Sequence, residues 1–247
     1  MQHVNYQNKK HLALLLDPDK IEKKSLQAYL TSANAQPDFL LLGGSLLTEG
    51  TLSELVTFLK TCTQLPLIIF PGNYLQIDSR ADGFWLLSLL SGRNPEFLIG
   101  QHVVAAPVLK KSQLHIVPVA YLLIEGGAPT SVSYISHTQP IPAHKPELAA
   151  CTALAGEQLG MHLVYLEAGS GALKPVGVDT IRAVKQTVNL SIVVGGGIRT
   201  AEAAHQAWSA GADVVVVGSA AESRLKVIEE MAQMRDRINR ESLLNKV

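Results

Sequence analysis

Two glycine-rich stretches near the end of the chain carry the clearest chemical signal. Gly195-Gly196-Gly197-Ile198-Arg199-Thr200 follows one apolar run, and Gly218-Ser219 follows the next. Consecutive glycines let a backbone approach an anion closely with its N–H groups aimed at it, above all where a helix begins just beyond. The Gly-Ser turn adds further donors and a hydroxyl, so the pair predicts a phosphate site. A tight turn with no ligand is the alternative for Gly195–Gly197, and the pairing with Gly218-Ser219 counts against it. Upstream, Leu163-Val164-Tyr165-Leu166 runs into Glu167-Ala168-Gly169-Ser170-Gly171. A carboxylate ending an apolar run can accept a proton from a substrate hydroxyl, although a Glu that caps a turn fits the same residues. Tyr165 points to the same side of a strand as Glu167 and either orients a substrate or packs the interior.

Near the N-terminus, Leu16-Asp17-Pro18-Asp19-Lys20 suggests a hard cation. Magnesium takes one or two protein carboxylates and fills its sphere with substrate phosphates and water. Asp17 directly ends an apolar run and is the better ligand. Asp19 reads instead as the cap of a helix beginning near Lys20. Ser45, in Gly43-Gly44-Ser45, offers a hydroxyl from the neighbouring strand end. The eight histidines are scattered and read as surface or packing residues. No HExxH zinc pattern and no G-x-S-x-G elbow occurs. Cys62 and Cys151 fit neither a disulfide framework nor a metal spacing.

The elements that must position these residues alternate. Apolar runs at Leu12–Leu16, Phe39–Leu42, Leu67–Phe70, Gly83–Leu87, Val117–Ile124, Leu163–Glu167, Ile192–Val194 and Val214–Val217 read as strands of a buried parallel sheet. Helix-like stretches lie between most of them, at 21–32, 52–62, 95–109, 147–159, 180–187, 201–210 and 222–240. Eight strands with intervening helices is the arithmetic of an α/β fold of the (β/α)8 TIM-barrel type. Two links depart from that rhythm. The stretch 71–82 is too poor in apolar residues for a helix, so the third helix is expected to be lost or replaced by a loop. The stretch 126–146, with four prolines, is expected to be an irregular loop. A doubly wound sheet is the rival, but its GxGxxG after the first strand is missing. In a barrel the active site lies at the C-terminal ends of the strands, where all of the residues above fall.

The whole-chain properties agree. Lys plus Arg and Asp plus Glu both number 21, and charged residues are 17% of 247. That balance argues against nucleic acid, which calls for a basic excess. An apolar content of 47% argues against disorder. The polar first ten residues lack the apolar core of a signal peptide, and the longest apolar stretch is Ile116–Ile124, with Pro118 inside it. A single, soluble, cytoplasmic domain covering 1–247 is expected.

With these residues assembled, the chain resembles the geranylgeranylglyceryl phosphate synthase family, which includes the bacterial heptaprenylglyceryl phosphate synthases. The matching pieces are Leu16–Lys20, Gly43–Ser45, Tyr165–Gly171, Gly195–Arg199 and Gly218-Ser219, in the family's order. The Tyr165–Gly171 stretch is highly specific and resembles the archaeal-type branch, which favours a geranylgeranyl donor. The resemblance implies transfer of a polyprenyl group from its diphosphate to the C3 hydroxyl of sn-glycerol 1-phosphate, forming an ether. It implies Mg²⁺ held by Asp17 and Ser45. It implies glycerol phosphate held by Tyr165, Leu166, Glu167, Ala168, Gly169, Ser170, Gly171, Gly196, Gly197, Gly218 and Ser219, with Glu167 as the base. A homo-oligomer and transient contact of the lipid product with a bilayer are implied as well. Two positions depart from the pattern. Some bacterial members have Lys where this chain has Leu15, and many members have Asp where it has Leu46. Two other readings compete: a sugar-phosphate isomerase or lyase on the same barrel, and a non-catalytic binder of an isoprenoid or phosphometabolite.

Overall fold

The computed structural model describes residues 6–32, 36–218 and 225–244. Eight parallel strands close into a barrel in sequence order: β1 (His11–Leu16), β2 (Phe39–Leu42), β3 (Leu67–Ile69), β4 (Gly83–Leu89), β5 (His115–Leu123), β6 (Leu163–Glu167), β7 (Ser191–Gly195) and β8 (Val214–Val217). Pairing of β1 with β8, Ala13 beside Val216, completes the closure. The helices are α1 (Lys23–Ser32), α2 (Leu52–Cys62), α3 (Gln101–Ser112), α4 (Ser131–Ser136), α5 (Pro146–Gln158), α6 (Val178–Thr187), α7 (Ala201–Ala210) and α8 (Leu225–Leu244).

The strands divide their side chains between two cores, as the two-residue period requires. Leu12, Leu14, Leu40, Leu42, Val164 and Leu166 face the helices. Ala13, Leu41, Trp85, Val119, Tyr121, Tyr165 and Val193 fill the barrel. The interior is aromatic toward the mouth. The Tyr165 ring lies 5.1 Å from Phe70 and 5.3 Å from Tyr121, which gives the active-site end a rigid floor.

No helix joins β3 to β4, as expected from the sequence. The helix expected over 95–109 begins differently: Glu96–Gly100 forms a π-helical turn that runs into α3. The expectation of an irregular stretch over 126–146 is corrected in part, because α4 forms inside it. Its first turn is held by Ser133, whose hydroxyl accepts from Thr130 N at 3.0 Å and donates to Thr130 O at 2.7 Å. The prolines that suggested irregularity lie outside this one short helix. α1 starts at Lys23, where the Glu22 carboxylate accepts from Ser25 N at 2.7 Å and Lys24 N at 3.2 Å.

Candidate active site

A cavity of about 400 Å³ opens at the C-terminal end of the barrel. Asp17, Ser45, Tyr165, Glu167, Ser170, Gly196, Gly197 and Gly218 all line it. The remaining residues of the expected site sit differently. Leu166 and Ala168 are fully buried on the helix side of the wall. Gly169 packs against Thr130, where a Cβ would come within 2.4 Å, and Gly171 turns the chain at a φ of +81°. Ser219 lies outside the described residues.

Glu167 is the centre of one end. It closes β6, is 6% exposed, and its Oε1 accepts from Gly169 N at 2.6 Å. Burial pushes its carboxyl up to about 7, against the pull of the Gly169 N–H and the nearby Tyr165 hydroxyl toward the charged form. The two side chains nevertheless form no aligned hydrogen bond, and Tyr165 Oη has no partner among the described residues. Burial and the adjacent carboxylate together drive the Tyr165 hydroxyl well above its ordinary pKa, so it stays protonated as a donor.

The glycines around Glu167 are required by space. A Cβ on Gly195 would meet Tyr165 Oη at 2.2 Å, and one on Gly196 would meet Glu167 Oε1 at 2.3 Å. Gly196 and Gly197 have φ of +79° and +71°, which L side chains rarely adopt. The N–H groups of Ser170, Gly196 and Gly197 meet no acceptor among the described residues. Arg199 ties the neighbouring loop down, its Nη2 donating to Ala172 O at 2.7 Å. The result is a set of open backbone donors beside a buried carboxyl of near-neutral pKa, which suits a phosphate monoester carrying a hydroxyl.

Asp17 and Ser45 stand across the mouth at the ends of β1 and β2. A Cβ on Gly44 would lie 2.9 Å from Asp17 Oδ1, so glycine is what lets the β2 loop rest against the carboxylate. Both residues offer hard oxygen donors, and the described residues contain no cluster of three acidic, histidine or cysteine side chains able to hold a metal. That donor set fits Mg²⁺, which binds few protein ligands and completes its sphere from phosphates. Asp19 is placed otherwise than expected. It does not cap α1; its carboxylate accepts from Thr48 N at 2.7 Å, Gly50 N at 2.6 Å and Glu49 N at 3.2 Å. Those bonds hold it down to about 2 and pin the β1 loop to the β2 loop.

Three features outside the residues named so far shape the cavity. Gln76, buried in the β3–β4 link, donates from Nε2 to Gly44 O at 2.8 Å, while its Oε1 accepts from Gly72 N at 3.2 Å. It thus sets the loop that carries Ser45. His102 on α3 lines the cavity and shares a 3.0 Å hydrogen bond between Nε2 and Ser88 Oγ, rather than serving only as packing. The third is an apolar wing. The cavity passes over the end of β4 to Phe84 and Leu86 on its outer face, then along Phe97 and Ala105, toward Val132 and Ile135 of α4. Phe84 and Leu86 can be reached because no helix follows β3.

A family model described as the PcrB family matches residues 4–235. The chain belongs to the PcrB family. Geranylgeranylglyceryl phosphate synthase of Spirosoma linguale is 50% identical over 91% of this chain and 90% of its own length. The enzyme of the same name from Thermococcus kodakarensis is 40% identical over 96% of this chain and 94% of its own. Among solved structures, (S)-3-O-geranylgeranylglyceryl phosphate synthase from Thermoplasma acidophilum, in complex with its substrate sn-glycerol-1-phosphate, superimposes with a TM-score of 0.86. It is 34% identical and the match covers 95% of each chain. The similarity spans nearly the whole chain, so this PcrB-family chain shares more with these relatives than a phosphate-binding motif.

Proposed function

We propose that this chain is a prenyltransferase. It joins the geranylgeranyl group of a prenyl diphosphate to the C3 hydroxyl of sn-glycerol 1-phosphate and releases diphosphate. One observation carries the reading: a single cavity combines open backbone donors, a buried carboxyl of near-neutral pKa and a long apolar wing. A sugar-phosphate isomerase has no use for that wing, and a non-catalytic binder has none for the carboxyl. The relatives' names and the glycerol phosphate bound to the Thermoplasma acidophilum enzyme support the same assignment.

Glycerol phosphate would rest its phosphate on the Ser170, Gly196 and Gly197 N–H groups, with Gly218, and turn its C3 hydroxyl toward Glu167. The apolar tail would lie along Leu86, Phe97 and Ala105, bringing the allylic carbon to the mouth. Asp17 and Ser45 would hold Mg²⁺, which when bound neutralises the departing diphosphate. In the reaction the allylic C–O bond breaks with its electrons leaving on diphosphate. The C3 oxygen bonds the allylic carbon as its proton passes to Glu167. Burial makes that carboxylate a stronger base than one in water, and the fixed phosphate supplies the proximity. The Gly169 N–H holds the carboxylate in place, and Tyr165, kept protonated, stands beside it as a further donor. The chain would work as one barrel domain, in the cytoplasm and as a homo-oligomer, with its lipid product passing to a bilayer. Among the described residues, no helix is long and apolar enough to cross a membrane.

The test is an assay with labelled sn-glycerol 1-phosphate, Mg²⁺ and prenyl diphosphates from farnesyl to heptaprenyl. An organic-extractable ether that EDTA abolishes, formed best with the geranylgeranyl donor, is the expected result. Saturable glycerol-phosphate binding with no product from any donor would point to a different phosphate-binding barrel enzyme.

A further inference from the structure

The lysine and arginine side chains that line the cavity, among the described residues, are Lys20 and Arg199. They stand at opposite ends. Arg199 is committed to the carbonyl of Ala172, beside the glycerol-phosphate loops. Lys20 belongs to the β1 loop, and its Nζ lies 3.1 Å from Asp17 Oδ2. The other oxygen, Asp17 Oδ1, accepts from Asp19 N at 3.2 Å. The ammonium therefore covers the oxygen of Asp17 that a cation would use. Its backbone is anchored by a turn, Lys20 N donating to Asp17 O at 3.0 Å, while the side chain is half-exposed.

We propose that Lys20 is a diphosphate-binding residue that exchanges partners, pairing with Asp17 in the ligand-free site and with the prenyl diphosphate when a divalent cation takes Asp17. The inference rests on the transferase reading and assigns a role to a residue that reading leaves unused. The exchange follows from charge. Lys20 and Asp17 sum to zero, and a divalent cation arriving at Asp17 repels the ammonium at short range. A lysine is a compact charge on a flexible four-carbon stem with rotatable donors, so it can swing while its backbone stays fixed. The anion that restores the balance is the diphosphate on the same cation. Lys20 thus competes with the cation for Asp17 and assists the diphosphate once the cation is bound.

These two actions have opposite signs, which a merely structural role does not produce. Calorimetric titration of the full chain with Mg²⁺ alone, then with inorganic diphosphate at saturating Mg²⁺, reads them separately. Lys20→Gln is expected to bind Mg²⁺ alone about threefold more tightly and inorganic diphosphate about tenfold more weakly, the scale of one charge-assisted hydrogen bond. Lys20→Arg keeps the charge and should recover most of the diphosphate affinity. In turnover, Lys20→Gln should raise KM for geranylgeranyl diphosphate and leave KM for sn-glycerol 1-phosphate unchanged. Unchanged diphosphate affinity in Lys20→Gln, or a parallel fall in both affinities, would overturn the proposal. Failure of the unaltered protein to bind diphosphate at any Mg²⁺ concentration would overturn the transferase reading itself, and the role of Lys20 with it.

Discussion

The two ends of the barrel handle buried charge in opposite ways. At the base, Asp213 accepts from Ile192 N at 2.9 Å and from Lys185 Nζ at 3.2 Å, and Asp38 accepts from Leu12 N at 2.8 Å and Arg235 Nη1 at 2.6 Å. These carboxylates have cationic partners, and each also bonds the backbone of a strand. At the mouth, Glu167 is buried as well, yet among the described residues it has no cation, one backbone bond and a tyrosine that does not quite reach it. Base carboxylates are satisfied and rigidify the strand starts. The mouth carboxylate is left under-satisfied, and its raised proton affinity is what a base acting near neutral pH needs.

The sharpest way to break this contrast is Glu167→Gln. The amide cannot take the proton, so kcat should fall by about 10²- to 10⁴-fold, with glycerol-phosphate binding, measured by calorimetry, little changed. Equal losses in both would make Glu167 a binding residue. The same variant should be more stable than the unaltered chain above pH 7. A carboxyl raised from 4.5 to about 7 favours the folded state while protonated and costs stability as pH rises through 7. Removing the charge should recover roughly 2 kcal/mol in denaturation at pH 8. Below pH 7 the kcat of the unaltered enzyme should drop about tenfold per pH unit as the base is protonated, a slope that should vanish in the variant. At the base the signs reverse. Asp213→Ala should destabilise by about 3 kcal/mol, because it strands Lys185 and the Ile192 N–H, while kcat of the folded protein holds. A smaller effect is expected from Asp17→Asn, which should raise the Mg²⁺ concentration for half-maximal activity about tenfold without changing stability; an unchanged metal dependence would remove Asp17 from the cation site.

Much of the architecture was legible because a barrel buries both faces of every strand. Runs such as Leu163–Leu166 and Val214–Val217 therefore lack polar alternation, and a lone carboxylate ending one, Glu167, stands out. The triple glycine stood out for a similar reason, since only glycine fits beside Tyr165 and Glu167. Contacts distant along the chain were not legible. Gln76 is an ordinary glutamine in a loop, and its partner Gly44 lies 32 residues away. Asp19 fits a helix cap by local spacing, but its partners at 48–50 come from another loop. The single turn that starts α4 rests on one serine hydroxyl, too weak a signal among four prolines. His102 lines the cavity through a bond to Ser88 on β4, a contact that its own neighbours in sequence do not reveal.

That missing helix after β3 also bears on the order of events. Because the apolar wing leaves the barrel sideways, over the rim of β4, the two proposed substrates would reach the reacting atoms by separate routes: the polar one from above, the lipid one from the flank. Neither would seal the other's path. The kinetic scheme expected of such a layout is random addition, with double-reciprocal lines that intersect whichever substrate is varied.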